Sequence, residues 1–257
     1  MNYQSEAQII EAFHLVFLRV LGAKRPDWYT LKGGANLRYF FGSERYSNDI
    51  DFDFRDREGW MATEAVSEIL SGPALTLSTR HVGLRVVDIT APKQTSTTLR
   101  WKIGLVSDRF PDPVRTKVEF SSRERDATDV MTEAVPTRIV ERYGVMTSSV
   151  QHYGIRSATE QKIAALALRS ETKARDIFDL ELLFRILKSS KLGTTQLATS
   201  HAEEAAEKAL QISYNNFRSE VLPFLDVEVG ELYDSAESWT LMRDAVIESL
   251  LSLRTTE

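Results

Sequence analysis

Three aspartates at alternate positions, Asp49, Asp51 and Asp53, run through the segment SNDIDFDF, with Ile50, Phe52 and Phe54 between them. A β-strand sends successive side chains to opposite faces. Such a run therefore has one apolar face that buries and one face that carries three carboxylates. Hard divalent cations take oxygen ligands, and Mg²⁺ is commonly held by one or two carboxylates with substrate phosphates completing the shell. Just upstream, Lys32-Gly33-Gly34 offers a turn with bare backbone N–H groups at the start of a short amphipathic run, an arrangement suited to anions. Phosphate cradle and acidic strand together point to nucleotide chemistry. A merely solvent-facing acidic strand is the plainer reading, but Asp is depleted in strands and three like charges on one face repel. The Gly-Gly pair alone would be an ordinary turn.

A second alternating run, Thr116-Lys117-Val118-Glu119-Phe120, puts Lys117 and Glu119 on the face opposite Val118 and Phe120. Beside the aspartate strand, Glu119 would add a third carboxylate able to hold metal or accept a proton. Taken alone, a K-x-E run reads as a surface strand with a cross-strand ion pair. Further on, Ser157-Ala158-Thr159-Glu160 has the form of a capping box, which predicts a helix starting there. Lys162 follows in its first turns as a surface lysine, with Ile163, Leu166 and Ala167 as the buried stripe. In the next helix Asp176 and Asp179 share a face at i and i+3. Arg175 and Asp179, at i and i+4, would make an ordinary helix ion pair.

Four motifs in this order resemble the AbiEii-type toxin nucleotidyltransferases, a branch of the polymerase-β-like superfamily. They are Lys32-Gly33-Gly34 with Arg45-Tyr46-Ser47-Asn48-Asp49-Ile50-Asp51, then Lys117-x-Glu119, then Lys162, Ala165, Leu166 and Arg169, and finally Arg175, Asp176, Asp179 and Leu180. The resemblance spans residues 31–180. Ala35-Asn36 stands where the family's Thr-Ala is most typical, a departure that leaves the carboxylates untouched. The resemblance implies an α/β fold: a polymerase-β-like nucleotidyltransferase domain with a mixed sheet over residues 1–145, then a mostly α-helical domain over 146–257. It also implies transfer of a nucleoside monophosphate from an NTP. Asp49 and Asp51 would coordinate two Mg²⁺ (or Mn²⁺) ions, with Glu119 as third ligand or base. Lys32, Gly33, Gly34, Ser47 and Asp179 would contact the nucleotide, Lys162 would neutralise phosphate charge, and Asp176 would position the acceptor or nucleotide sugar. The acceptor implied is RNA, most often the tRNA 3′ end. The implied biology is a growth-blocking toxin paired with a cognate antitoxin of AbiEi or another type. A transferase acting on a small molecule or a protein hydroxyl would use the same strand, and an inert binding module of the same fold is a further alternative.

Composition is compatible with this reading. The 257 residues are 42% hydrophobic, contain no cysteine and carry a net charge of −5. Thiolate metal sites and disulfides are excluded, and the four scattered histidines show no metal-ligand spacing. Glu203–Glu248 holds 11 acidic and 3 basic residues, a net −8, so the remainder carries +3. That asymmetry permits phosphate binding by the first 200 residues, with Arg38, Arg45, Arg115 and Lys117 as candidate contacts. No uncharged apolar run approaches the ~20 residues that span a bilayer, and the N-terminal stretch reads as an amphipathic helix and not a signal peptide. A cytoplasmic protein is expected.

Helical periodicity is expected over 6–22, 35–41 and 59–70, and strands over 29–32, 47–54 and 114–121. The apolar runs between 74 and 106 read as strands throughout. After a Ser/Thr-rich stretch at 143–156 the period is helical over 157–187, around 194–222, and over 236–253.

Overall fold

The computed structural model describes residues 3–54, 59–122, 129–190, 197 and 200–253. It divides into two compact units, one of residues 1–40 with 46–153 and the other of 41–45 with 154–257.

The first unit opens with helix α1 (Glu6–Lys24), capped by the Ser5 hydroxyl, which accepts from the Gln8 backbone N–H at 3.3 Å. Then come β1 (Tyr29–Lys32), α2 (Gly33–Phe40), β2 (Asp49–Phe54), α3 (Gly59–Ser71), α4 (Pro73–His81), β3 (Arg85–Gln94), β4 (Thr98–Val106), β5 (Val114–Ser121), β6 (Val130–Ala134), α5 (Thr137–Val140) and β7 (Ser149–Tyr153). The seven strands form one mixed sheet in the order β3-β4-β5-β2-β1-β7-β6. The β2–β5 and β1–β7 pairs are parallel and the remaining pairs antiparallel. Its apolar face, with Leu31, Ile50, Phe52, Val118, Phe120, Trp101 and Ile103, buries against α1, where Phe17 meets Phe52 at 6.1 Å. Phe52 also stacks on Phe120 at 4.6 Å.

Three elements differ from the sequence expectation. Ala74–Ser78, read as a strand, lies in α4. Gly72 supplies the N-cap and Pro73 the first helical position, where a missing N–H costs nothing. Leu75 and Thr79, four apart, are buried while Leu77 is exposed, a helical and not an alternating pattern. Strands β6 and β7 were not anticipated. Most of β6 is exposed, so it carries no apolar alternation to betray it.

The second unit contains α6 (Ile155–Leu168), α7 (Ala174–Ser189), α8 (Ala202–Leu210), α9 (Tyr214–Glu220), α10 (Val227–Tyr233) and α11 (Ala236–Ser252). Their core gathers Leu166, Ile177, Leu180, Phe184, Phe217, Trp239 and Leu250. The start at 194 expected for the helical segment around 194–222 lies outside the described residues; α8 begins at Ala202. Ser157 and Glu160 do not cap α6, because the chain already turns helical at Ile155 behind an extended Gly154. The S-x-x-E pattern falls inside the helix.

Candidate active site

Strand β2 sits in the middle of the sheet with Ile50, Phe52 and Phe54 locked into the core, and this fixes Asp49, Asp51 and Asp53 on the opposite face. In the parallel ladder with β5, Asp49 lies opposite Lys117 and Asp51 opposite Glu119. The repulsion expected among the carboxylates is met by cations. Asp49 Oδ2 accepts from Lys117 Nζ at 2.7 Å, and Glu119 Oε2 from Arg100 Nε at 2.6 Å. Buried Asp53 takes Lys32 and, at 2.9 Å, the Tyr153 hydroxyl. The remaining oxygen of Asp49, Oδ1, is buried without a hydrogen-bond partner among the described residues.

Gly33 brings its backbone against this face. Its φ is +69°, and a Cβ there would stand 2.8 Å from Asp51 Oδ2. A side chain there would strain the backbone and displace the Asp51 carboxylate. Ser47, in the connection into β2, donates its hydroxyl to the Asp49 carbonyl at 2.7 Å. Asn36, at the departure from the family pattern, is a structural latch. Its amide donates to the Tyr153 carbonyl at 2.8 Å and its oxygen lies 3.0 Å from His152 Nδ1.

The donor set suits a hard cation. Two carboxylates on adjacent same-face positions, one with a buried unused oxygen, fit an ion that takes its other ligands from phosphate and water. No group of three or more acidic or histidine side chains among the described residues converges on one point. Glu119 is engaged by Arg100, so serving as a third ligand would mean exchanging that guanidinium.

The helical unit holds its own cluster. Asp176 and Asp179 are both fully buried on one face of α7. Lys162 Nζ lies 3.1 Å from Asp176 Oδ1 and 2.6 Å from Asp179 Oδ2. Arg45 adds a two-toothed contact to Asp179, with Nε at 3.2 Å from Oδ1 and Nη2 at 2.9 Å from Oδ2. Arg169 Nη1 reaches Asp176 Oδ2 at 2.7 Å. Burial by itself would raise the Asp179 carboxyl, but Arg45 and Lys162 more than offset it and hold it at about 2.

Three expectations change here. Lys162 is not a solvated surface lysine: with α6 starting at Ile155 it falls mid-helix, on the stripe of Thr159, Ile163 and Leu166, and is only 8% exposed. Asp179 is bound to Arg45 and Lys162 instead of making an ordinary helix pair with Arg175. Arg45 is buried against Asp179, and Arg38 donates to buried Glu11 at 2.8 Å, so these two are internal struts and not surface phosphate contacts. Arg169 and Arg45 stand in the quoted motifs, but no pattern in the sequence disclosed which carboxylate each would find.

Solved structures share this architecture. A crystal structure of a candidate nucleotidyltransferase from H. pylori aligns with TM-score 0.62 and 19% identity, covering 98% of this chain and 99% of that one. JHP933 from Helicobacter pylori aligns with TM-score 0.59 and 17% identity, covering 98% and 97%. At these identities the likeness establishes a common α/β fold. The family described as nucleotidyl transferase AbiEii toxin, type IV TA system, matches residues 16–252, and the chain belongs to it. Membership carries nucleotidyltransferase activity, a nucleotide substrate and an antitoxin partner. No curated protein matches the chain. Among the described residues no helix is long and apolar enough to cross a membrane.

Proposed function

We propose that this chain transfers a nucleoside monophosphate from an NTP to the 3′ end of a tRNA, in the presence of Mg²⁺ or Mn²⁺, and so blocks translation and growth until an antitoxin of AbiEi or another type intervenes. It acts in the cytoplasm, where both substrates are found. The observation that carries the reading is Asp49 with its buried unused oxygen, beside Asp51, on a strand whose other face is locked in the core. Asp49 and Asp51 would hold the metal, which when bound would supply Lewis-acid polarisation of the transferring phosphoryl group. Gly33 and Gly34 offer backbone N–H groups to the triphosphate at the start of α2, and Lys32 anchors the turn through Asp53. Ser47 fixes the strand entry through the Asp49 carbonyl. Lys162 neutralises phosphate charge, held by Asp176 and Asp179.

Support for a polyanionic acceptor comes from the same sheet face. Directly opposite residues share a face, so the row through Asp49 continues across Lys117 and Lys102, and the row through Asp51 across Glu119, Arg100 and Lys93. Lys93 and Lys102 are exposed and make no ion pair among the described residues. In this reading they would be the contacts to RNA phosphates.

Incubation with each labelled NTP, Mg²⁺ and total RNA tests the reading. Label in tRNA-sized species supports it, whereas label on a small molecule or protein, or full activity in EDTA, overturns it.

A further inference from the structure

Two polar side chains on the apolar side of the sheet stand out against their surroundings. Thr116 shares its face of β5 with Val118 and Phe120, yet it is a hydroxyl, buried to 2% exposure. His14 lies on α1 among Ile10, Phe13 and Phe17 and is 1% exposed. Buried polar groups are costly unless they bond, and these two bond in series. His14 Nε2 lies 2.8 Å from Thr116 Oγ1, and Thr116 Oγ1 donates to the Asn48 carbonyl at 2.8 Å. A hydroxyl has one proton, already given to Asn48, so His14 must donate to it and is the Nε2–H tautomer. Asn48 is the residue immediately before Asp49.

One turn earlier on α1, Glu11 makes a second brace to the same connection. Its carboxylate takes Arg38 Nε at 2.8 Å and the Tyr143 hydroxyl at 2.7 Å. The Arg38 guanidinium lies 4.2 Å from the centre of the Tyr46 ring, and Arg142 Nη1 donates to the Tyr46 hydroxyl at 2.7 Å. Tyr46 and Asn48, flanking Ser47, are thus tied back to α1, the one through Arg38 and the other through Thr116.

We infer that Glu11, His14 and Thr116 are positioning residues for the nucleotidyl-transfer reaction, fixing the Tyr46–Asn48 connection so that the Asp49 carboxylate is presented at a defined depth on the sheet. Glu11 and His14 both precede the segment that the family matches. The inference rests on the reading of Asp49 as a metal-binding carboxylate. Groups that orient a metal ligand tune affinity for the ion, and their loss typically lowers metal affinity or activity about 10- to 100-fold.

Thr116→Val keeps the shape and deletes the hydroxyl. The concentration of Mn²⁺ giving half-maximal transfer should rise about 10-fold or more, while the KM for tRNA stays at the wild-type value and Thr116→Ser restores wild-type metal dependence. His14→Phe should move the same quantity in the same direction, and the double variant should be no worse than Thr116→Val because both remove one chain of bonds. A side chain that serves stability alone would lower the melting temperature without moving metal half-saturation. Should Thr116→Val not fold, His14→Phe and Glu11→Gln carry the same measurement from the helix side. Wild-type metal dependence in a folded Thr116→Val or His14→Phe protein, with Asp49→Ala inactive, overturns the inference alone. Full activity of Asp49→Ala overturns the reading beneath it and the inference with it.

Discussion

At the scale of single residues, the carboxylate face and the helical cluster make opposite demands on substitution. Asp49→Ala or Asp51→Ala should lower transfer roughly 100-fold or more without loss of fold, checked by turnover and circular dichroism. No gain in melting temperature is expected from relieved repulsion, because Lys117 already neutralises Asp49. Lys162→Ala should cost stability as well as activity. Removing one partner of a buried ion pair costs about 3–5 kcal/mol; Arg45 and Arg169 remain on the two aspartates, which reduces the loss to about 1–3 kcal/mol by the same reasoning. Urea unfolding measures it. Two groups contribute to acid sensitivity. Asp179 has its carboxyl held at about 2 against an ordinary 3.8; the stability it contributes is complete above the ordinary value and is lost as pH falls from there through about 2. His14 is pushed by burial to about 3 from 6.5. Between those values the unfolded chain binds the extra proton, so stability declines as pH falls from 6.5 towards 3. Melting curves across pH 7 to 3 should therefore be flatter for His14→Phe than for wild type, and an unchanged slope would count against a neutral buried imidazole.

At the scale of elements, the join of β1 to α2 is the most exacting. Gly33→Ala places a methyl 2.8 Å from Asp51 Oδ2 at a φ of +69°. The left-handed conformation alone costs about 1–2 kcal/mol, and the displaced carboxylate should take transfer activity with it; a fully active Gly33→Ala enzyme would show that Asp51 has room to move. The elements that carry chemistry were legible because they are regular. Alternation in DIDFDF and in TKVEF named the buried face and the carboxylate face of β2 and β5, and apolar spacing named α1. What stayed hidden depended on partners distant in sequence. Alternating Leu75 and Leu77 mimicked a strand although Pro73 starts a helix, β6 is mostly exposed, β7 carries polar His152 where an apolar residue would alternate with buried Val150, and Lys162 could be recognised as buried only once the true start of α6 was known. His14 and Thr116 carried a faint signal, a polar group where the stripe calls for an apolar one.

At the scale of the whole molecule, charge is the quantity that matters. The acidic residues concentrated between Glu203 and Glu248 leave the rest of the chain at +3, with Lys93 and Lys102 on the carboxylate face of the sheet. If these two lysines meet RNA phosphates, Lys93→Gln with Lys102→Gln should reduce the log–log salt slope of tRNA binding by roughly 1.4–1.8 while the KM for NTP is unchanged. Equal slopes for both proteins would remove them from the acceptor surface, and turnover independent of salt would favour a small-molecule acceptor.

The five residues 41–45 have a consequence of another kind. They belong to the helical unit although they lie in the middle of the first unit's sequence, and Arg45 and Asp179 are 134 positions apart. The helical unit is therefore not a heritable cassette. A fragment cut at Tyr153 would leave Arg45 on the wrong piece, and Asp179 would keep Lys162 as its remaining cation. Recombination between relatives that exchanged only the C-terminal half would bring together an arginine and an aspartate from different lineages, so positions 45 and 179 are expected to change together or not at all.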